Sequence, residues 1–254
     1  MKVTFLGTGT SQGVPVIGCD CQVCTSLDFR DKRFRSSVHF QIGELSLVID
    51  TGPDFRSQML RAGVKRLDAV IFTHEHKDHT AGLDDIRPFN FAQQKDMPIF
   101  GRSQVLEQIK REFAYVFSSK KYPGVPQIAP VEIDESPFTI EGIQITPIPV
   151  FHYKLPVLGF RIGDFTYITD CNHIPDESFE LIRGSKVLVL NALQKESHIS
   201  HFTLDEAIQK AKEIGAEQTY FTHMSHKIGL HAAIEEELPE GIALAYDGLQ
   251  VTLP

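Results

Sequence analysis

Three features of the sequence predict an α/β fold built on mixed β-sheets. Short runs rich in β-branched and aromatic residues recur along the whole 254-residue chain. Some meet across two-residue turns, which makes antiparallel neighbours. Others are separated by helical stretches, which makes parallel ones.

The elements follow in order. Val3–Leu6 is an apolar first strand that runs into a glycine-rich loop ending at Gly13. Ser37–Ile42 and Leu45–Asp50 are the next strands, and Asp54–Ala62 reads as a helix with Asp54 as its N-cap. Ala69–Thr73 and Pro98–Phe100 are strands, and Ser103–Phe117 is a helix. The proline-rich stretch Tyr122–Pro130 reads as a surface loop. Ile143–Val150, Leu158–Ile162 and Phe165–Thr169 are strands, the last two joined through Gly163-Asp164. Val187–Leu190 leads to the clearest helix, Leu204–Ile214, which carries Leu204, Ala207, Ile208, Ala211 and Ile214 on one face. Thr203 and Glu206 form a capping box at its start, and Gly215 ends it. Gln218–Thr222, Ile242–Ala245 and Gln250–Leu253 complete the strands, with Asp247-Gly248 expected to turn the last pair into a hairpin. The second half repeats the order of the first, and no linker separates them. Residues 1–254 are therefore read as one domain.

Composition narrows the function. Hydrophobic residues make up 42% and charged residues 23%, which excludes disordered, collagenous and coiled-coil chains. A net charge of −8 with no basic block argues against a broad surface for long nucleic acids. No run of 18 apolar residues predicts a membrane span. Met1–Gly7 reads as a strand, not as a signal peptide, so a cytoplasmic location is expected. The unusual number is 11 His, the commonest metal-ligating and acid/base side chain.

The strand ending at Thr73 is followed by His74-Glu75-His76-Lys77-Asp78-His79. Alternation along an extended chain points His74 and His76 to the same side. A turn into helix then brings Asp78 and His79 back toward that space. Such N/O donors suit borderline divalent ions such as Zn²⁺, Mn²⁺ or Fe²⁺.

This H-x-H-x-D-H pattern resembles the signature of the metallo-β-lactamase superfamily, and the resemblance extends over nearly the whole chain. It implies a four-layer αβ/βα sandwich with two mixed β-sheets and two catalytic divalent ions at one edge. It also implies the later ligands His152, Asp170 and His223, each at a strand end. By the same resemblance, His74, His76 and His152 would hold one ion and Asp78, His79 and His223 the other, with Asp170 between them. Asp50, closing the strand Leu45–Asp50, would orient ligands from behind.

Three of the four cysteines fall in Cys19-x-Cys21-x₂-Cys24, a zinc-thiolate spacing one ligand short. His226, three residues after His223, is available as the fourth. This set and the opening glycine loop resemble the PhnP-like branch, the phosphoribosyl 1,2-cyclic phosphate phosphodiesterases. There the Cys₃His zinc is structural, and Cys171 is left as a buried thiol.

Two divalent ions about 3.5–4 Å apart make a water between them acidic and offset the charge of a phosphodiester. The resemblance therefore implies a dimetal phosphodiesterase for a small cyclic or diester phosphate, with Asp78 and His201 as catalytic residues. His201 is the candidate proton donor to the leaving oxygen. Arg87 is a candidate phosphate contact, with a surface pair to Asp84 or Asp85 as the alternative. Two other hydrolases share these ligands: a tRNase Z-like ribonuclease, and a lactone or thioester hydrolase. The short, weakly basic segment between Gly82 and Pro130 argues against the first. Homodimerisation is left open.

Overall fold

The computed structural model describes residues 1–119 and 122–254. Among the described residues, fourteen strands form two seven-stranded sheets. The first holds β1 (Lys2–Gly7), β2 (Ser37–Ile42), β3 (Leu45–Ile49), β4 (Ala69–Ile71), β5 (Met97–Gly101) and β6 (Ile128–Glu132), with β14 (Gln250–Thr252) on the far side of β1. The second runs β7 (Phe138–Ile140), β8 (Ile143–His152), β9 (Leu155–Ile162), β10 (Phe165–Tyr167), β11 (Val187–Asn191), β12 (Gln218–Thr222), β13 (Ile242–Leu244). Each sheet is antiparallel in one part and parallel in the other: β3 through β6 are parallel, as are β10 through β13.

The helices are α1 (Gln22–Thr25), α2 (Phe55–Ala62), α3 (Lys77–Thr80), α4 (Arg87–Gln93), α5 (Ser103–Glu112), α6 (Ala114–Phe117), α7 (Asp176–Ile182), α8 (Leu204–Ile214) and α9 (His231–Glu237). Strand alternation explains the layering. Leu47, Ile49 and Ile71 of the first sheet meet Phe160, Tyr167 and Val189 of the second in a shared core. The intervening residues point outward: Val48 and Val70 pack with Phe55, Leu106 and Ile109, and Leu188 and Leu190 with Leu204, Ala207 and Ala211. Helices thus cover both outer faces, giving the four-layer αβ/βα sandwich. Strands buried on both faces read as continuous apolar runs, which is what made them visible in sequence.

α8 matches its sequence boundaries and its capping box. Other elements differ from expectation. Asp247-Gly248 does not make a hairpin, because β13 joins the second sheet and β14 crosses to β1 of the first. The stretch Ser103–Phe117 breaks at Phe113, whose ψ of 39° turns the chain so that Phe113 and Val116 both reach the outer core. Ile128–Pro130, read as loop, opens β6. Asp54 sits at the N-cap position of α2 but makes no capping bond, since its carboxylate is taken by Arg35. Among the described residues, no helix is long and apolar enough to cross a membrane.

Candidate metal centre

The parallel strands, and with them the antiparallel β8, end at one edge of the sandwich, where open α/β sheets place their ligands. Asp50 follows β3, His74 lies just past β4, His152 ends β8, Asp170 follows β10 and His223 follows β12. The motif helix α3 is held there by backbone contacts. Thr51 donates to the His79 carbonyl and Gly82 to the Thr51 carbonyl, both at 2.8 Å. The approach is so close that a Cβ on Gly52 would lie 2.1 Å from the Asp78 carbonyl oxygen. Only glycine fits, so the Asp50 loop packs backbone against backbone on the motif.

Asp170 is the hub. Its Oδ2 lies 3.1 Å from His223 Nδ1 and 3.3 Å from His79 Nε2, and its Oδ1 lies 3.2 Å from His201 Nε2. Asp78 Oδ2 is 3.1 Å from the same His79 Nε2. Yet His79 Nε2 is fully buried and has no hydrogen-bond partner among the described residues. A buried nitrogen facing two carboxylate oxygens without a bond to either is the arrangement of a ligand set, and a divalent cation fits it. Asp78, His79, Asp170 and His223 bring one donor atom each within 4.8 Å of one another, as do His152, Asp170 and His201. His74 Nε2 is 3.0 Å from His76 Nδ1, and the His74 and His76 rings lie 5.9 and 5.2 Å from that of His152. The structure therefore brings all seven expected ligands to one edge. It also places His201 inside the cluster, its ring 4.5 Å from His152 and 4.9 Å from His223.

Electrostatics divides the imidazoles. Burial pushes His74 well below its ordinary value, and pushes His223 down to about 3 against the pull of Asp170. Burial also lowers His152. These rings are neutral and ready to ligate. Burial acts the same way on His79, but Asp78, Asp170 and Asp50 outweigh it and hold its pKa well above the ordinary range. That convergence of negative charge is what a bound cation would offset. Asp50 is wholly buried and accepts from Thr73 N (2.9 Å), Thr73 Oγ1 (2.8 Å) and His79 Nδ1 (2.7 Å). The last bond fixes the His79 tautomer and leaves Nε2 for a metal. His152 Nδ1 is fixed by the Ser200 carbonyl at 2.9 Å.

Several contributors lay outside the sequence reading. Thr10 Oγ1 and Ser36 Oγ each stand 3.2 Å from a ring nitrogen of His223. Both are far from His223 in sequence, so no local signal marked them. Thr73, by contrast, sits beside the motif, and its position after an apolar strand could have flagged it. Arg87 is not brought to the cluster: it pairs with Asp84 at 2.8 Å and lines a cavity of about 590 Å³ with Phe91, Tyr115 and Tyr122.

Cys19, Cys21 and Cys24 surround His226 Nδ1, with Sγ distances of 3.3, 3.3 and 3.5 Å. The Cys24 backbone N–H lowers the Cys21 thiol to about 6, which favours the thiolate. Four soft donors around one point suit zinc with no open position.

Residues 46–224 match the model of the β-lactamase superfamily domain. A solved structure of a diphosphatase from the PhnP family superposes with a TM-score of 0.94 at 39% identity, covering 100% of this chain and 98% of the other. An octanoyltransferase of Porphyromonas gingivalis is 38% identical over 257 residues and covers 100% of this chain. This chain spans only about half of that relative's length (52%). A probable metallo-hydrolase of Bacillus subtilis, YhfI, is 28% identical over 80% of this chain and 84% of its own length.

Proposed function

The chain belongs to the β-lactamase superfamily, and from that premise we propose that it is a dimetal-dependent hydrolase of a small phosphate diester, cyclic or open, with diphosphate esters in the same class. The observation that carries this reading is Asp170, which stands within 3.3 Å of His79, His201 and His223 while His79 Nε2 has no bond of its own. Its similarity to the PhnP-family diphosphatase supports a phosphorus centre over a carbonyl.

In this reading His74, His76 and His152 would hold one ion and Asp78, His79 and His223 the other, with Asp170 available to both. Zn²⁺, Mn²⁺ and Fe²⁺ all match such donors. When bound, the ions supply Lewis acidity toward a phosphoryl oxygen and make a nearby water acidic at neutral pH. Asp50 keeps His79 oriented through its 2.7 Å bond. His201 holds a proton at Nε2, directed at Asp170 Oδ1, and delivers it to the leaving oxygen. Cys19, Cys21, Cys24 and His226 would hold a structural zinc, which would brace the loop beside His223. Three free thiols in one loop suit a reducing compartment such as the cytoplasm.

The test is a kinetic panel with one metal form: a cyclic ribose phosphate, a 2′,3′-cyclic nucleotide, a diphosphate diester, a precursor tRNA, a lactone and a thioester. Turnover confined to the small phosphates is expected. Preferred cleavage of the tRNA would move the protein to the ribonuclease reading. Preferred cleavage of the lactone or thioester would move it to carbonyl chemistry.

A further inference from the structure

Arg35 has no part in the ligand cluster, yet it is pinned beside it from two sides. It precedes Ser36, whose Oγ lies 3.2 Å from His223 Nδ1. Arg35 Nε donates to the Ser11 carbonyl at 3.0 Å, in the loop where Thr10 Oγ1 lies 3.2 Å from His223 Nε2. Its Nη1 donates to Asp54 at 3.2 and 3.3 Å. The stem passes Gly52, where an added Cβ would lie 3.2 Å from Arg35 Cβ and 2.1 Å from the Asp78 carbonyl oxygen. The guanidinium is thus held between the Ser11 loop, which also carries Thr10, and Asp54, which follows the Gly52 segment packed on the motif. Its side chain is 28% exposed.

Three of the five guanidinium N–H groups belong to Nε and Nη1, and these anchor the fork. The other two, on Nη2, have no partner among the described residues. A planar cation with its base fixed and one edge open is pre-organised for phosphate oxygens. Neighbouring acidic groups are accounted for: Asp54 holds Nη1, and Asp78 faces His79.

We propose that Arg35 binds the second phosphoryl group of a substrate that carries two, so that the site selects diphosphate diesters over monophosphate diesters. The inference rests on the phosphohydrolase reading above. In a diphosphate, the phosphoryl group under attack faces the ligand cluster and its neighbour keeps a negative charge of its own. One water is consumed, a new P–O bond forms at the first phosphorus, and its bond to the bridging oxygen breaks. That oxygen leaves on the second phosphoryl group, and the two protons of water pass to the products or to solvent. Arg35 holds the departing group and takes no proton.

The probes are bis(p-nitrophenyl) phosphate and P¹,P²-bis(p-nitrophenyl) diphosphate, offered to the metal-loaded full chain. The wild type is expected to have the higher kcat/KM on the diphosphate. Arg35→Ala should lose about 10–100-fold more on the diphosphate than on the monophosphate diester, the scale of one charge-assisted contact, mostly through KM. Arg35→Lys should recover part of that difference, and Arg35→Gln, which can keep a bond to Asp54, should not. The two conservative variants carry the test if the alanine variant does not fold. Equal losses on both substrates, with metal content and melting temperature intact, would overturn the assignment alone. A wild type that cleaves neither phosphate would overturn the phosphohydrolase reading with it.

Discussion

His223 and His226 are three residues apart on one segment, yet they belong to two clusters built on opposite plans. The Cys₃His cluster is assembled almost locally: three thiols come from six consecutive residues, and one imidazole arrives from afar. Among the described residues no carboxylate joins it, and its donors already surround a single point. The His/Asp cluster draws on five strand ends from both sheets, is mostly buried, and carries three carboxylates with a nitrogen that has no bond. Closed soft donors brace a loop, whereas a buried, charged and incompletely bonded set does chemistry. Sequence spacing alone treats both as metal motifs; burial and bonding tell them apart.

Removing a donor from each cluster gives the sharpest break. Asp78→Ala and Asp170→Ala should lose more than about 100-fold in kcat/KM on phosphodiesters while keeping the wild-type circular dichroism spectrum. Full turnover in either folded variant would erase the distinction between the clusters. Asp50→Asn is the graded version: it should cost about 10–100-fold by loosening His79, with metal content still measurable by mass spectrometry. His226→Ala or Cys19→Ser should act chiefly on stability. If zinc is present at about 100 times its dissociation constant, its loss costs about 3 kcal/mol, or roughly 6–12 °C in Tm. The zinc count should fall by one, and a larger effect on kcat than on Tm would reverse the roles assigned here.

A histidine outside both clusters supplies the smallest contrast. Burial, helped by Lys2, lowers His39 to about 4 from 6.5, and its Nε2 contacts Ser46 Oγ at 2.8 Å. Between those values the unfolded chain takes a proton that the folded chain refuses. Stability from this group is therefore complete above pH 6.5 and is lost as pH falls toward 4, by roughly 3 kcal/mol. Denaturant titrations of His39→Gln should show a flatter stability profile over that range. An unchanged slope would remove His39 as its source.

How much was legible in sequence follows from what each feature depends on. α8 was readable because its face, cap and stop lie within twelve residues of one another. The motif His74–His79 was readable because four candidate ligands fall within six residues. The fate of β14 was not: an Asp-Gly turn looks the same whether its flanking strands pair together or part to different sheets, and here β1 offers the better edge. Arg87 has the right charge and lies close to the motif in sequence, but Asp84 holds its guanidinium. Arg35 carries no local sequence signal, because it comes near the centre only on folding. Its neighbours there, Ser11 and Asp54, are 24 and 19 residues away along the chain.

Asp50, Asp170 and His223 share one more property: their φ angles are 65°, 54° and 56°. A side chain in this left-handed region costs roughly 1 kcal/mol or more. The edge that gathers the ligands is thus held in a conformation that the local backbone would rather leave. Glycine at Asp170 or His223 would relax the chain there while deleting a donor. Selection for thermal stability alone would therefore drift toward variants that fold better and do less.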